Sequence, residues 1–432
     1  MSAVQDASSA IGAANAAPSL LVIVADRFKP FRVDVKILFA RELVARGYRM
    51  DWIMQSDEAC NSDYVTRWGG GDAWIGKTDI GTSRLARIRK HVHAIANEFR
   101  MFRLVKTRRY DCIVVKDKFI APLLALVAGR LNQIPLIYWL SYPIPEESLL
   151  RARDGTARYP ILYWIRGLFF RFLLYRVILR GAHHVLVQSE QMKRDVMAMG
   201  LPADKLTAVP MGVDLGSIPY QETIAGKPAM DGRPKTLLYL GTLIKVRHLD
   251  FLIRVVAMAR REIPDIRLVF VGDGDDPSDR ALLEAEAARC RVTDAVEFTG
   301  FLPMDAAWRI VATADVCVSP FYPTPILNST SPTKLIEYMA MGKPVVANDH
   351  PEQRQVISES NAGLCVAWDE SEFAAAAVRL LRNPEMAAAM GRRGRQYVER
   401  YRDYRSIAAM VDDTLRAQLP AFTSNKSIAS TS

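Results

Sequence analysis

Hydrophobic residues fall in short runs along this chain, separated by stretches in which apolar positions return every third or fourth residue. The short runs have the length of strands buried on both faces, and the periodic stretches read as helices. In the first half the runs predict strands over Leu20–Ala25, Arg49–Met54, Cys112–Val115, Leu136–Trp139 and His184–Gln188, with a helix over Ile37–Arg46. The second half restarts the alternation, with strands over Leu237–Gly241, Arg267–Gly272, Ala295–Thr299, Val316–Pro320, Pro344–Ala347 and Leu364–Ala367. Such alternation is the mark of parallel sheets with crossover helices. The fold class expected is therefore α/β, two doubly wound Rossmann-like domains facing a cleft, with ligands at the carboxyl ends of the strands.

A length of 432 residues suits two domains. Gly216–Pro234, with three prolines and three glycines, reads as the linker. The expected division is a disordered lead-in over 1–18, an N-terminal domain over 19–218 and a C-terminal domain over 219–403. A helix over 404–419 then crosses back to the N-terminal domain, and 420–432 is a disordered tail. Five scattered cysteines without CxxC spacing give neither a disulfide framework nor a zinc site, which suits a reducing compartment. The small, polar N-terminus does not read as a signal peptide. The net charge of +10 is unevenly placed: residues 1–220 hold 31 Lys and Arg against 20 Asp and Glu, whereas the remainder is nearly balanced. The first half is therefore expected to face a polyanion.

The segment Ser329–Ala347 carries the clearest chemistry. Ser331 followed by Pro332 predicts an N-cap with proline at the first helical position of a helix over Pro332–Met341. Thr333 and Lys334 then lie in the first turn, where free N–H groups and the helix dipole attract an anion. Glu337, a turn further on, can accept two hydrogen bonds from a ribose diol. The plainer alternative is a capped helix with a solvated glutamate. Lys334 argues against it, because a cation in the first turn opposes the dipole unless an anion is present. GxGxxG is absent, which weakens a dinucleotide-binding reading.

The run EYMAMGKPVVA resembles the hallmark of family 4 glycosyltransferases, and the likeness extends over roughly 185–400. VLVQSEQMKRDVMAMGLPADKLTAVPMGVDL, LLYLGTLIKVRHLDFLI, LVFVGDGD and VEFTGFLP occur in the family's order and spacing. The resemblance implies the GT-B fold and a sugar nucleotide of UDP or GDP type as co-substrate. It also implies transfer with retention of configuration, with no permanently bound cofactor and no metal. By it, Glu337 holds the ribose hydroxyls, Gly300, Phe301 and Leu302 read the base, and Gly241 admits the diphosphate. Arg247 and Lys334 supply positive charge to the leaving group, and Thr242, Ser329 and Ser331 complete the donor site. Three departures stand out: Ser329 replaces the family's first glutamate, Thr242 replaces an arginine, and Ser141 lies where a histidine is common. A Ser-Pro-x-Lys helix start marks a variant donor pocket. Asp273, Asp275, Asp276 and Asp279 lack EF-hand spacing and read as loop acids.

Ser83–Arg109 reads as one helix with an apolar stripe of Leu85, Ile88, Val92, Ile95, Phe99 and Phe102. Arg87, Arg89, Lys90, Arg100 and Arg108 lie largely off the stripe, so an anionic membrane surface is the expected partner. Pro160–Arg180 is long enough to span a bilayer, but its internal arginines oppose spanning. It is either an internal helix or an interfacial one with Trp164, Phe169 and Phe170 inserted. Arg27, Lys29 and Arg32 in the loop after the first strand, with Asp117 and Ser141, are candidate acceptor residues. The reading is a cytoplasmic enzyme, peripheral on the inner face of the cytoplasmic membrane, acting on a lipid-linked sugar acceptor and not on nucleic acid. A non-catalytic scaffold and a nucleotide-sugar epimerase are the alternatives.

Overall fold

The computed structural model describes residues 18–79, 81, 83–220 and 232–419. The expected lead-in, Pro18 aside, and the expected tail lie outside these residues, as does most of the expected linker. The chain forms two compact units, one of residues 1–210 with 405–432 and one of residues 211–404.

The first unit is built on an eight-stranded sheet. Its strands are β1 (Ser19–Phe28), β2 (Arg49–Ser56), β3 (Tyr64–Trp68), β4 (Gly71–Gly76), β5 (Cys112–Lys116), β6 (Leu136–Leu140), β7 (His184–Val187) and β8 (Leu206–Ala208). They run in the order β3-β4-β2-β1-β5-β6-β7-β8, all parallel except β3, which pairs antiparallel with β4. The expected strands are all present, and β3, β4 and β8 are additional. The β3–β4 hairpin turns on Gly69 and Gly70, at φ +56° and +86°. Positive φ at both central residues is what a two-residue hairpin of primed type requires. The last helix, Tyr404–Gln418, belongs to this unit: Ile407, Ala408, Val411 and Leu415 are buried. Tyr48 Oη donates to Asp412 at 2.7 Å, and Arg46 donates to the Arg405 carbonyl at 3.0 Å.

The second unit carries a six-stranded, all-parallel sheet. Its strands are β9 (Thr236–Leu240), β10 (Arg267–Val271), β11 (Val296–Phe298), β12 (Val316–Ser319), β13 (Val345–Asn348) and β14 (Gly363–Val366), in the order β11-β10-β9-β12-β13-β14. It begins eight residues before the expected domain start, because Val213, Leu215 and Ile218 are buried in the same apolar cluster as Leu238, Leu240, Val269 and Val271. In both units the strand order reverses beside the first strand, between β1 and β5 and between β9 and β12. In open α/β sheets ligands bind outside the carboxyl ends of the strands at such reversals.

Candidate functional site

At the carboxyl end of β9 the chain turns through Gly241 at φ +148°. A Cβ here would stand 2.1 Å from Lys334 Cε and 2.8 Å from its Nζ. Glycine thus leaves room for the Lys334 ammonium over the strand end. The neighbouring β10 ends at Gly272, where a Cβ would meet the Gly241 carbonyl oxygen at 2.1 Å. Gly272 in turn pairs with Gly300, at φ +71°, at the start of the turn carrying the exposed Phe301 and Leu302.

Lys334 lies in the first turn of the helix Thr333–Ala340, and Glu337 follows one turn later. Both side chains are half-buried. Among the described residues, neither makes a side-chain hydrogen bond or an ion pair. Burial, and then the nearby Arg247 guanidinium, push the Lys334 ammonium below its ordinary range. Burial pushes the Glu337 carboxyl above its ordinary range, and Lys334 offsets this only in part. An unpaired cation and an unpaired carboxylate on one helical turn in a desolvated setting are a functional-site signature. The helix is anchored by Tyr338, whose Oη accepts the Leu240 N–H at 2.7 Å. That N–H is available because β12 pairs with β9 only through Val316–Leu237 and Cys317–Leu238. Arg247, in the turn Lys245–Arg247, donates to Tyr239 Oη at 3.5 Å and is half-buried.

The helix start differs from expectation. Pro332, not Ser331, occupies the cap position, and no side chain caps the helix. Ser331 Oγ instead accepts the Met211 N–H at 2.9 Å and donates to Glu352 at 2.6 Å. Glu352 also takes Arg402 at 2.9 Å, a pair in which both side chains are almost fully buried. Ser331 is thus tied to a buried polar network, which competes with capping for its single hydroxyl. Nothing in the local sequence points to Glu352 and Arg402, which come from distant segments. Ser329 is buried, with its hydroxyl on the Pro325 carbonyl at 3.3 Å. Thr242 and Thr333 are half-buried, and the Thr242 carbonyl accepts from Tyr239 Oη at 3.4 Å. Asp276 and Asp279 form a capping box on the helix Pro277–Arg289, which gives these loop acids a structural task.

In the first unit the carboxyl ends of β1, β5 and β6 bring together Asp26, Arg32, Asp34, Lys116, Asp117 and Ser141. Lys116 Nζ lies 2.7 Å from Asp34 Oδ2, and both side chains are fully buried. Burial would raise the Asp34 carboxyl, but Lys116 and Arg32 outweigh it and hold it below its usual range. Arg32 donates to Ser141 Oγ at 3.1 Å and approaches Asp117 at 3.7 Å. Asp117, in left-handed backbone at φ +53°, accepts the Ser141 N–H at 2.8 Å and the Ser141 hydroxyl. Asp26 faces Arg32 at 3.9 Å. Sequence reasoning found Arg32, Asp117 and Ser141 and missed Asp26, Asp34 and Lys116. Of the other two candidates, Arg27 lies on β1 and not in a loop, because the strand runs on to Phe28 past a register shift between Ile23 and Arg27. It pairs with Asp57 at 3.2 Å, and Lys29 is exposed.

The basic segment is two helices, Arg84–Glu98 and Arg100–Thr107, meeting at Phe99. Its basic residues do not form one face. Arg108 forks between Asp51 at 2.9 Å and Asp72 at 2.8 Å, and Arg100 bonds Asp63 at 2.6 Å. Arg89 pairs with Asp79 at 2.8 Å, Arg87 is exposed and Lys90 half-buried. The apolar stripe is turned outward in the first helix, with Leu85 70% exposed and Ile88, Val92 and Phe99 also exposed. The segment Pro160–Arg180 is buried in its second part and exposed in its first. Leu174, Tyr175, Ile178 and Leu179 are buried, whereas in the helix Pro160–Phe172 only Gly167 is. Ile161 (77%), Trp164 (54%) and Phe169 (59%) are exposed. Phe170 is half-buried against Phe119, with ring centroids 4.4 Å apart. Among the described residues no helix is long and apolar enough to cross a membrane.

Two family models match successive stretches of the chain. Residues 38–212 match the glycosyl transferase 4-like domain, and residues 234–383 match glycosyl transferases group 1. The chain belongs to the family 4 glycosyltransferases. Phosphatidyl-myo-inositol mannosyltransferase of Mycobacterium leprae is 30% identical over 208 residues, 47% of this chain and 51% of that one. The chain thus spans about half the length of that relative. A GDP-mannose-dependent alpha-(1-6)-phosphatidylinositol monomannoside mannosyltransferase of Mycobacterium tuberculosis is 25% identical over 419 residues, 92% of this chain and 98% of that one. Among solved structures, sucrose-phosphate synthase from Thermosynechococcus elongatus superposes with a TM-score of 0.67 at 19% identity, covering 93% of this chain and 98% of that one. The fold is GT-B, with two Rossmann-like α/β domains.

Proposed function

We propose that the protein is a retaining glycosyltransferase that moves a sugar from a UDP- or GDP-type nucleotide sugar to a membrane-associated acceptor, a polyprenyl-linked sugar or a glycolipid. The observation that carries this reading is that Lys334, over the end of β9, and Glu337 stand unpaired on the first turns of a helix whose start no side chain caps. A nucleoside diphosphate answers both charges: its phosphates suit Lys334, Arg247 and the free N–H groups, and its ribose diol suits the carboxylate of Glu337. Gly300, Phe301 and Leu302 are assigned to the base, and Thr242, Ser329 and Thr333 to the rim of the donor site.

Catalysis in this reading is electrostatic. The cations and helix start stabilise the departing diphosphate, which itself accepts the acceptor's proton, so neither a protein nucleophile nor a metal is needed. The lipid-type acceptor is supported by the phosphatidylinositol-based acceptors for which the two mannosyltransferases are named. The exposed apolar faces of Pro160–Phe172 and Arg84–Glu98, in the more basic half of the chain, support a peripheral place on the inner face of the cytoplasmic membrane.

The test uses purified protein, radiolabelled UDP- and GDP-sugars and a membrane lipid extract. Transfer of label to lipid is expected, with a loss of roughly 100- to 1,000-fold in Glu337→Ala. Nucleotide binding without transfer would make the protein a scaffold, and conversion of the donor without acceptor would make it an epimerase.

A further inference from the structure

The first unit has a second concavity, at the opposite end of its sheet from the charged constellation. A cavity of about 470 Å³ opens at the amino ends of β6, β7 and β8, lined by Leu136, Ala182, His183 and Lys205. Its other wall is the helix Ile120–Asn132, which contributes Ala125, Leu126 and Arg130. Leu136 starts β6 and Leu140 ends it, so about 13 Å of strand, at about 3.3 Å per residue, separates the cavity from the constellation. In open α/β sheets the ligands of the reaction belong at the carboxyl ends, so an occupant of this cavity stands apart from the transfer. The volume lies within the range of small-molecule sites, roughly 300–1,000 Å³.

The lining is sorted by depth. Ala125, Leu126, Leu136 and Ala182 are buried and make an apolar floor, whereas Arg130 and His183 are exposed and Lys205 half-buried at the mouth. Among the described residues no carboxylate lines the cavity, and the Arg130 guanidinium makes neither a hydrogen bond nor an ion pair. Lys205 Nζ spends one of its three donors on the Arg180 carbonyl at 2.8 Å. Burial holds that ammonium below its ordinary range, and Asp204 offsets this only in part. His183 donates through Nε2 to the Gln418 carbonyl at 2.6 Å, which leaves an anionic head to Arg130 and Lys205. An inorganic anion would leave the floor uncovered, and a purely apolar molecule would leave both cations unanswered. The order of the layers decides between the remaining sources. A bilayer lipid presents its head first, whereas an apolar floor below a cationic mouth admits the apolar end first. We propose that the cavity binds a free amphipathic anion, one anionic head on a short apolar chain or ring, with its apolar end inward and its head at Arg130 and Lys205. The proposal does not depend on the transferase reading.

The test is calorimetric titration of the full chain with hexyl phosphate and hexanoate, each against its short homologue, methyl phosphate or acetate. At least one long probe is expected to bind at least about tenfold tighter than its homologue, the effect of burying two methylenes. Arg130→Ala is expected to weaken that probe roughly 10- to 150-fold, the loss of a charge-assisted hydrogen bond. Its thermal midpoint is expected to be unchanged, since Arg130 is exposed and without a partner among the described residues. Should it nevertheless be destabilised, Arg130→Gln, which keeps a polar side chain of similar reach, is expected to weaken the probe likewise. Saturating UDP or GDP is expected to leave the affinity within about twofold, as for independent sites. No binding, equal affinity for long and short probes, an unchanged Arg130 variant or displacement by UDP or GDP overturns the proposal. So does loss of co-sedimentation with phosphatidylglycerol vesicles in Arg130→Ala, which would make the cavity a site for bilayer headgroups.

Discussion

Gly241→Ala separates two effects that usually travel together. At φ +148° an alanine is strained, at roughly 1–2 kcal/mol, which corresponds to about 2–8 °C in thermal midpoint for a unit of this size. The new methyl would also stand 2.1 Å from Lys334 Cε. That contact is with the end of a flexible side chain, so it is relieved by moving the ammonium and not by unfolding. The price appears in ligand binding: losing one charge-assisted hydrogen bond to a diphosphate costs about 1.5–3 kcal/mol, or roughly 10- to 150-fold in Kd. Calorimetric titration of UDP and GDP into wild type, Gly241→Ala, Lys334→Ala and the double variant tests this as a cycle. If Gly241 acts by making room for the ammonium, the double variant binds within about twofold of Lys334→Ala. Multiplicative losses, or wild-type affinity in Gly241→Ala, would refute the argument.

Ser331→Ala is expected to lower stability by about 1–3 kcal/mol in urea unfolding, since it strips one donor from buried Glu352, while nucleotide affinity stays within a few-fold. Intact stability with lost binding would return this hydroxyl to the donor site. His350 donates through Nε2 to the Leu327 carbonyl at 2.8 Å and accepts the Glu352 N–H on Nδ1 at 3.3 Å, which fixes it as neutral. Burial pushes its pKa down to about 4, and that of His184 to about 4 as well. The unfolded chain takes up these protons below about pH 6.5 and the folded chain only near pH 4, so stability falls as pH drops through that window. Between pH 7.5 and 5 each histidine accounts for about 2 kcal/mol of this fall, so His350→Gln is expected to roughly halve it. Replacing Trp164, Phe169 and Phe172 together by serine is expected to cut co-sedimentation with phosphatidylglycerol vesicles at least about tenfold, with the thermal midpoint unchanged within about 2 °C. Retained sedimentation would move the membrane contact elsewhere.

Most parallel strands are legible because strands buried on both faces are continuous apolar runs; β8, only three residues long, is not. The β3–β4 hairpin was not, since Arg67 and Asp72 break the runs, although Gly69-Gly70 between alternating residues was a usable signal. Lys334 and Glu337 could be found because their chemistry lies within one helical turn. Asp26, Asp34 and Lys116 could not, because the sheet order, not the chain order, brings β1 beside β5. The basic helix misled for a related reason: the aspartates that engage Arg100 and Arg108 come from residues 51–72, and periodicity cannot report on partners supplied by another segment. Its apolar stripe had the spacing of a buried face, but spacing alone does not say which side meets the core.

The helix Tyr404–Gln418 is made after the second unit yet completes the unit made first. While the ribosome is still adding the second unit, the surface that will receive Ile407, Val411 and Leu415 stays bare, and Tyr48 waits for Asp412. Folding of the leading unit therefore cannot finish before the second unit has been synthesised, and a chain cut just before Tyr404 leaves an apolar scar on the first unit although its whole sheet is encoded.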